Sequence, residues 1–159
     1  TTPDSFYDGG KNSSTKDLGA THAEFVANYK KACKVIGEQP DEEVLRSLNE
    51  ANASESKCDR LAIGDYSMGP AGVRALVDGI QGGEDSKVFT QLTALRLWRT
   101  RACDDGVEAL ARLLKESKDK LNIRALELVD NNIGQNNGHK NIKLVYMMFK
   151  EKNYSEIMN

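Results

Sequence analysis

The side chains best suited to metal binding or nucleophilic chemistry in this sequence are two histidines and three cysteines. His22 and His139 lie far apart, and neither has a cysteine or an acid at metal-ligand spacing. Cys33 falls on an apolar helical stripe, where packing explains it better than nucleophilic catalysis does. Cys58 and Cys103 sit within a recurring pattern described below and read as structural. The glycines of GDYSMGPAG, residues 64–72, invite a phosphate-binding reading. They lack the Gly-Lys-Ser/Thr ending whose lysine and hydroxyl would meet phosphate and magnesium. No motif rises to an enzyme, so the expectation is a non-catalytic protein with no metal and no cofactor.

Size and charge narrow the classes further. The chain has 159 residues, the length of about one domain with a sizeable core. Its net charge is −2, from 22 basic and 24 acidic residues, so no global field favours nucleic acid or an anionic membrane. No run approaches the ~18 apolar residues of a membrane span. The N-terminal residues show no apolar signal-peptide core. Three scattered cysteines do not make a disulfide framework, and a reducing, cytoplasmic setting is the simplest expectation. Asn-x-Ser triplets at Asn12, Asn52 and Asn153 read as chance in an asparagine-rich chain.

Residues 1–20 are rich in Gly, Ser, Thr and Asp without sustained periodicity and read as a flexible leader. Thr21 with Glu24 has capping-box spacing, and Phe25, Tyr29, Cys33 and Ile36 follow at helical spacing. Gly37 is a natural stop; Pro40 and Asp41 open a second helix carrying Val44, Leu45 and Leu48. These two helices and a polar linker make residues 21–57 a helical N-terminal cap. Next comes a strand–turn–helix pattern that recurs. In LTALRLWRTRACDDGVEALARLL, residues 92–114, Leu92, Leu95 and Leu97 suit a strand, and Val107, Leu110, Ala111 and Leu114 one helix face. An offset of 34 residues places Leu61, Ile63, Gly72 and Val73 on Leu95, Leu97, Gly106 and Val107. An offset of 31 places Leu126 and Leu128 on Leu95 and Leu97. This third unit degrades after Gly134, and Leu144, Met147 and Met148 remain as an apolar surplus near the end. That surplus points to a C-terminal interface: a homodimer, or further repeats beyond this segment.

The LxxLxL strand pattern, a short turn and GxxAL opening a helix resemble the ribonuclease-inhibitor type of leucine-rich repeat over residues 58–150. The resemblance implies an α/β fold, a short solenoid with parallel strands on a concave face and helices on the convex face. It implies three units, 58–91, 92–122 and 123–150, with 151–159 as a C-terminal tail. The asparagine or cysteine usual after LxL is Tyr66 and Thr100 in the first two units and Asn131 in the third. The cap is similar to the start of leucine-rich proteins of centrosomes and cilia through Phe25, Tyr29, Cys33, Gly37, Pro40, Val44 and Leu45. The implied function is a non-enzymatic protein–protein interaction scaffold using the concave face, in a centrosomal, ciliary or cytoskeletal assembly. The alternative is an enzyme regulator of the GTPase-activating or inhibitor type.

If the strand leucines face inward, alternation turns Ala62, Arg96 and Glu127 outward as one column. Gly64, Trp98 and Val129 form the next, and Asp65, Arg99 and Asp130 the one at the strand ends. Exposed tryptophan beside arginine has the composition of an interface hot spot. Trp98, Arg96, Arg99, Glu127, Val129 and Asp130 are therefore the expected partner-binding residues. Packing of Trp98 against the chain's own leader or tail is the competing use. The expected partners are other proteins, with neither nucleic acid nor membrane.

Overall fold

The computed structural model describes residues 19–64 and 68–134, together with the backbone of strand 156–158. Helix α1, His22–Ile36, begins at the expected capping box. The Glu24 N–H donates to the Thr21 hydroxyl at 3.2 Å, and the Thr21 N–H donates to the Glu24 carboxylate at 2.7 Å. These reciprocal bonds satisfy donors that a helix start leaves open. Gly37 ends the helix in the left-handed region at φ 85°, which costs glycine little. The next helix, α2, Glu42–Ala53, is capped by Asp41, whose carboxylate accepts the Glu43 and Val44 N–H groups. The Tyr29 hydroxyl ties the two helices together by accepting the Asp41 N–H at 2.8 Å. Burial, the larger influence, pushes that phenol well above its ordinary pKa.

After α2 the chain alternates strand and helix: β1 Arg60–Ile63, α3 Gly69–Gln81, β2 Ala94–Leu97, α4 Cys103–Glu116 and β3 Ala125–Glu127. A last strand, β4 Glu156–Met158, lies in the stretch read as a tail. All pairings are parallel, in the order β1-β2-β3-β4. Leu61 pairs with Leu95 and Leu95 with Leu126, the alignments that the two spacings give. One sheet face buries Leu61, Ile63, Leu95, Leu97 and Leu126 in a core shared with Val73, Leu76, Val77 and Ile80 of α3. Val107, Leu110 and Leu114 of α4 join the same core. On the opposite face Ala62, Arg96 and Trp98 are exposed.

The leucine-rich-repeat solenoid expected from the sequence is not the architecture observed. The strands form a short, open, uncurled sheet in one small α/β domain, without the curved multi-repeat array of that family. The concave face goes with it, and so does the scaffold mechanism that needed one. The GTPase-activating or inhibitor alternative rested on the same resemblance and falls with it. The physical reason is local. LxxLxL followed by GxxAL specifies a strand, a turn, a helix and pairwise register. A curved array also needs the turn at each strand end held the same way, and the asparagine that does so occurs once, at Asn131. The apolar surplus of Leu144, Met147 and Met148, and the C-terminal interface it pointed to, lie outside the described residues.

Helix α1 is a full member of the helical layer, packed along α3. Their approach is closest at Gly79, where an added Cβ would lie 2.9 Å from Tyr29 Cα and 3.0 Å from Tyr29 Cβ. Phe89, in the connection between α3 and β2, is fully buried with its ring 4.5 Å from Phe25. Its N–H donates to the Ile80 carbonyl. The loop is thereby pinned between α1 and α3. Gly79→Ala gains about 1 kcal/mol of helix propensity but collides with helix backbone, which cannot swing aside as a side chain can. The expected net effect is a loss of about 1–2 kcal/mol in equilibrium urea unfolding. Gly83→Ala, where nothing lies within 4 Å, should change stability by less than ~0.5 kcal/mol.

Candidate functional site

The exposed face of the sheet is built from the residues that alternate with the core leucines. On β2 these are Ala94 and Arg96, with Trp98 just beyond the strand. The Trp98 backbone is anchored by its N–H donating to the Ile63 carbonyl at 2.9 Å, yet the residue is 44% exposed. Its indole N–H donates to Glu127 Oε2 at 3.1 Å. Arg96 Nε lies 3.1 Å from the other oxygen, Oε1, and its guanidinium carbon is 5.9 Å from the indole centroid. One carboxylate, its side chain 14% exposed, thus holds both neighbours. The ring is oriented with one face towards a cation, an attraction of about 0.5–1 kcal/mol at an exposed site.

Beside this triad Arg99 and Asp130 pair at 3.5 Å with side chains 61% and 65% exposed. Such a surface pair contributes only ~0–1 kcal/mol. The rigidity comes from underneath. Arg99, Arg101, Cys103, Asp130 and Asn132 all have φ between 52° and 55°, a region that costs residues with a Cβ about 1 kcal/mol or more each. Asn131, 2% exposed, is the clamp. Its Oδ1 accepts the Thr100 N–H at 3.0 Å, the Thr100 hydroxyl at 2.8 Å and the Ala102 N–H at 3.3 Å. Its Nδ2 donates to the Leu97 and Val129 carbonyls, and its own carbonyl accepts the Cys103 N–H. The loop between Trp98 and α4 is thus fastened at both ends.

The structure brings Arg96, Trp98 and Glu127 together, sets Arg99 and Asp130 beside them, and leaves Val129 partly buried. Asp65, Leu144, Met147 and Met148 lie outside the described residues. The sequence sets Glu127 in one outward column with Ala62 and Arg96. That reading missed the bond to Trp98, although diagonal neighbours on adjacent strands are within reach of long side chains. It also treated Asn131 as a family position rather than the part that holds the site.

The cysteines and His22 take structural positions. The Cys58 N–H donates to His22 Nε2 at 3.2 Å, and the His22 ring lies 5.8 Å from Phe89. Burial pushes the Cys33 and Cys58 thiols above their ordinary range. Among the described residues no group of His, Cys, Asp and Glu is arranged to hold a metal ion, and no helix is long and apolar enough to cross a membrane. No protein-family profile matches the chain, and no curated protein matches it significantly.

Asn131→Ala should cost about 3 kcal/mol, the scale of one or two buried polar groups left without partners, in chemical unfolding. The quantum yield of Trp98 should change in the native state as well. In the folded protein iodoacetamide should modify Cys103, which is partly exposed, before Cys33 or Cys58; peptide mapping after a short exposure reads the order.

Proposed function

We propose that this protein is a protein-binding module whose recognition element is the exposed face of the sheet centred on Trp98. The observation that carries the reading is the way the indole is held: about half exposed, bonded through its N–H to Glu127, and flanked by Arg96. An aromatic side chain ordered before contact loses little rotamer entropy on binding, so more of its buried area is realised as affinity. Tryptophan and arginine are also the residue types that dominate interface energetics. Ala62 and Gly64 are exposed and Ala94 and Ala125 half-exposed, so the ring stands above low neighbours.

Because Trp98 is the only tryptophan, its fluorescence reports directly on this face. Peptides selected from a random library on the full chain should shift that emission. Trp98→Ala should weaken their binding by at least about thirtyfold, the effect of a hot-spot residue worth ~2 kcal/mol. The same substitution should move the unfolding free energy by less than ~1 kcal/mol. Selected peptides that bind Trp98→Ala undiminished would refute the assignment. Loss of the thermal transition in that variant would instead make Trp98 part of the core.

A further inference from the structure

We propose that Glu127 sets the specificity of this face: by holding the Trp98 indole N–H and balancing Arg96, it restricts the partner's anchoring residue to an uncharged, apolar side chain seated on the indole ring. This rests on the protein-binding reading and adds the chemistry of the partner. Glu127 Oε2 accepts the indole N–H at 3.1 Å, and Oε1 lies 3.1 Å from Arg96 Nε. With its side chain 14% exposed, this carboxylate is largely shielded from bulk water. The indole has one donor, and it is already engaged. A partner carbonyl or carboxylate therefore finds no N–H on Trp98. What the residue offers is ring carbon.

Charge near the ring is matched pair by pair. Glu127 balances Arg96, and Asp130 balances Arg99 at 3.5 Å. Further along the strands the register sets Arg60, Ala94, Ala125 and Glu156 in one row, again one arginine and one glutamate. Glu43 of α2 accepts the Gly64 N–H on the β1 side. A partner carboxylate approaching Arg96 also meets Glu127, whose repulsion is weakly screened because the glutamate is mostly buried. A partner lysine or arginine over the ring stands beside Arg96, whose guanidinium carbon is already 5.9 Å from the indole centroid. Either charge is opposed by a group that the fold has fixed, a means of rejecting wrong partners. An aliphatic or aromatic side chain meets no such opposition and gains from covering ring carbon.

Glu127→Gln separates the charge of this residue from its shape. The glutamine amide oxygen can still accept the indole N–H, whereas Arg96 loses the carboxylate that balances it. The variant should keep the apolar anchor and admit an acid near it. A residue that merely supported the strand would change the affinity of neutral and acidic segments alike.

The test uses the full chain, the peptides selected from the random library, and Trp98 emission as readout. Peptides that depend on Trp98 should share one apolar residue at a fixed position, flanked by uncharged residues. Their affinity should change less than about twofold as salt rises from about 50 to about 500 mM. An Asp scan through the residues flanking the anchor should weaken binding at least about tenfold at one or more positions, and E127Q should shrink that gap to about threefold or less. R96Q gives a second arm, readable even if E127Q does not fold: there a Lys scan should lose most of a penalty of about tenfold. Trp98-dependent peptides enriched in charged residues, binding that falls steeply with salt, or penalties that the folded variants leave in place would overturn the apolar anchor. Each of these would leave the binding reading standing. A selection that yields no Trp98-dependent peptide would overturn both.

Discussion

Asn131 is the side chain on which the described structure most depends. Buried beneath the loop that follows β2, it makes five side-chain hydrogen bonds, four of them to backbone groups. A buried amide N–H or carbonyl left unmade costs about 1–3 kcal/mol, so closing the loop over the core without this residue would be paid for in stability. The same bonds impose the left-handed backbone of Arg99, Arg101 and Cys103. That conformation turns the chain from the end of β2 into α4, whose Asp104 in turn accepts the Gly134 N–H at 2.7 Å. One amide thus sets where β2 ends, where α4 begins and how the loop after β3 is tied back.

The exposed face inherits its order from that clamp. Trp98 is the last residue before the strained loop, and Glu127 lies four residues before Asn131 on the neighbouring strand. With both strand ends held, the carboxylate meets the indole N–H and the Arg96 guanidinium at fixed distances. A tryptophan on a loose loop would have to be ordered by its partner. Here the fold has done so beforehand, and the small residues around the ring leave it accessible. The proposed recognition rests on this surface chemistry: an aromatic anchor beside Arg96 and Arg99, with Glu127 and Asp130 already engaged.

Much of this was legible in residue spacing. Thr21 with Glu24, Gly37 and Asp41 mark helix ends through short-range hydrogen bonds and fixed torsions, which sequence displays directly. The inward leucines set the strand register, and with it the outward positions of Arg96, Trp98 and Glu127. Architecture was less legible. Two matching strand–helix units look alike in a long curved array and in a small open sheet, because curvature depends on how many turns share one set of bonds. Phe89 was hidden for another reason: a lone aromatic among polar residues has no periodicity, and only contact with Phe25 reveals it as core. The reach from Trp98 to Glu127 runs diagonally between strands, a relation no single column of aligned positions contains.

The central claim is that Trp98 is open to a partner and already held in place. Time-resolved fluorescence of this single tryptophan, with acrylamide titrated into the native protein, addresses both halves at once. The account predicts ready quenching together with anisotropy that decays at the tumbling rate of the whole molecule. An indole shielded from acrylamide, or one that depolarises rapidly while the protein remains folded, would contradict it.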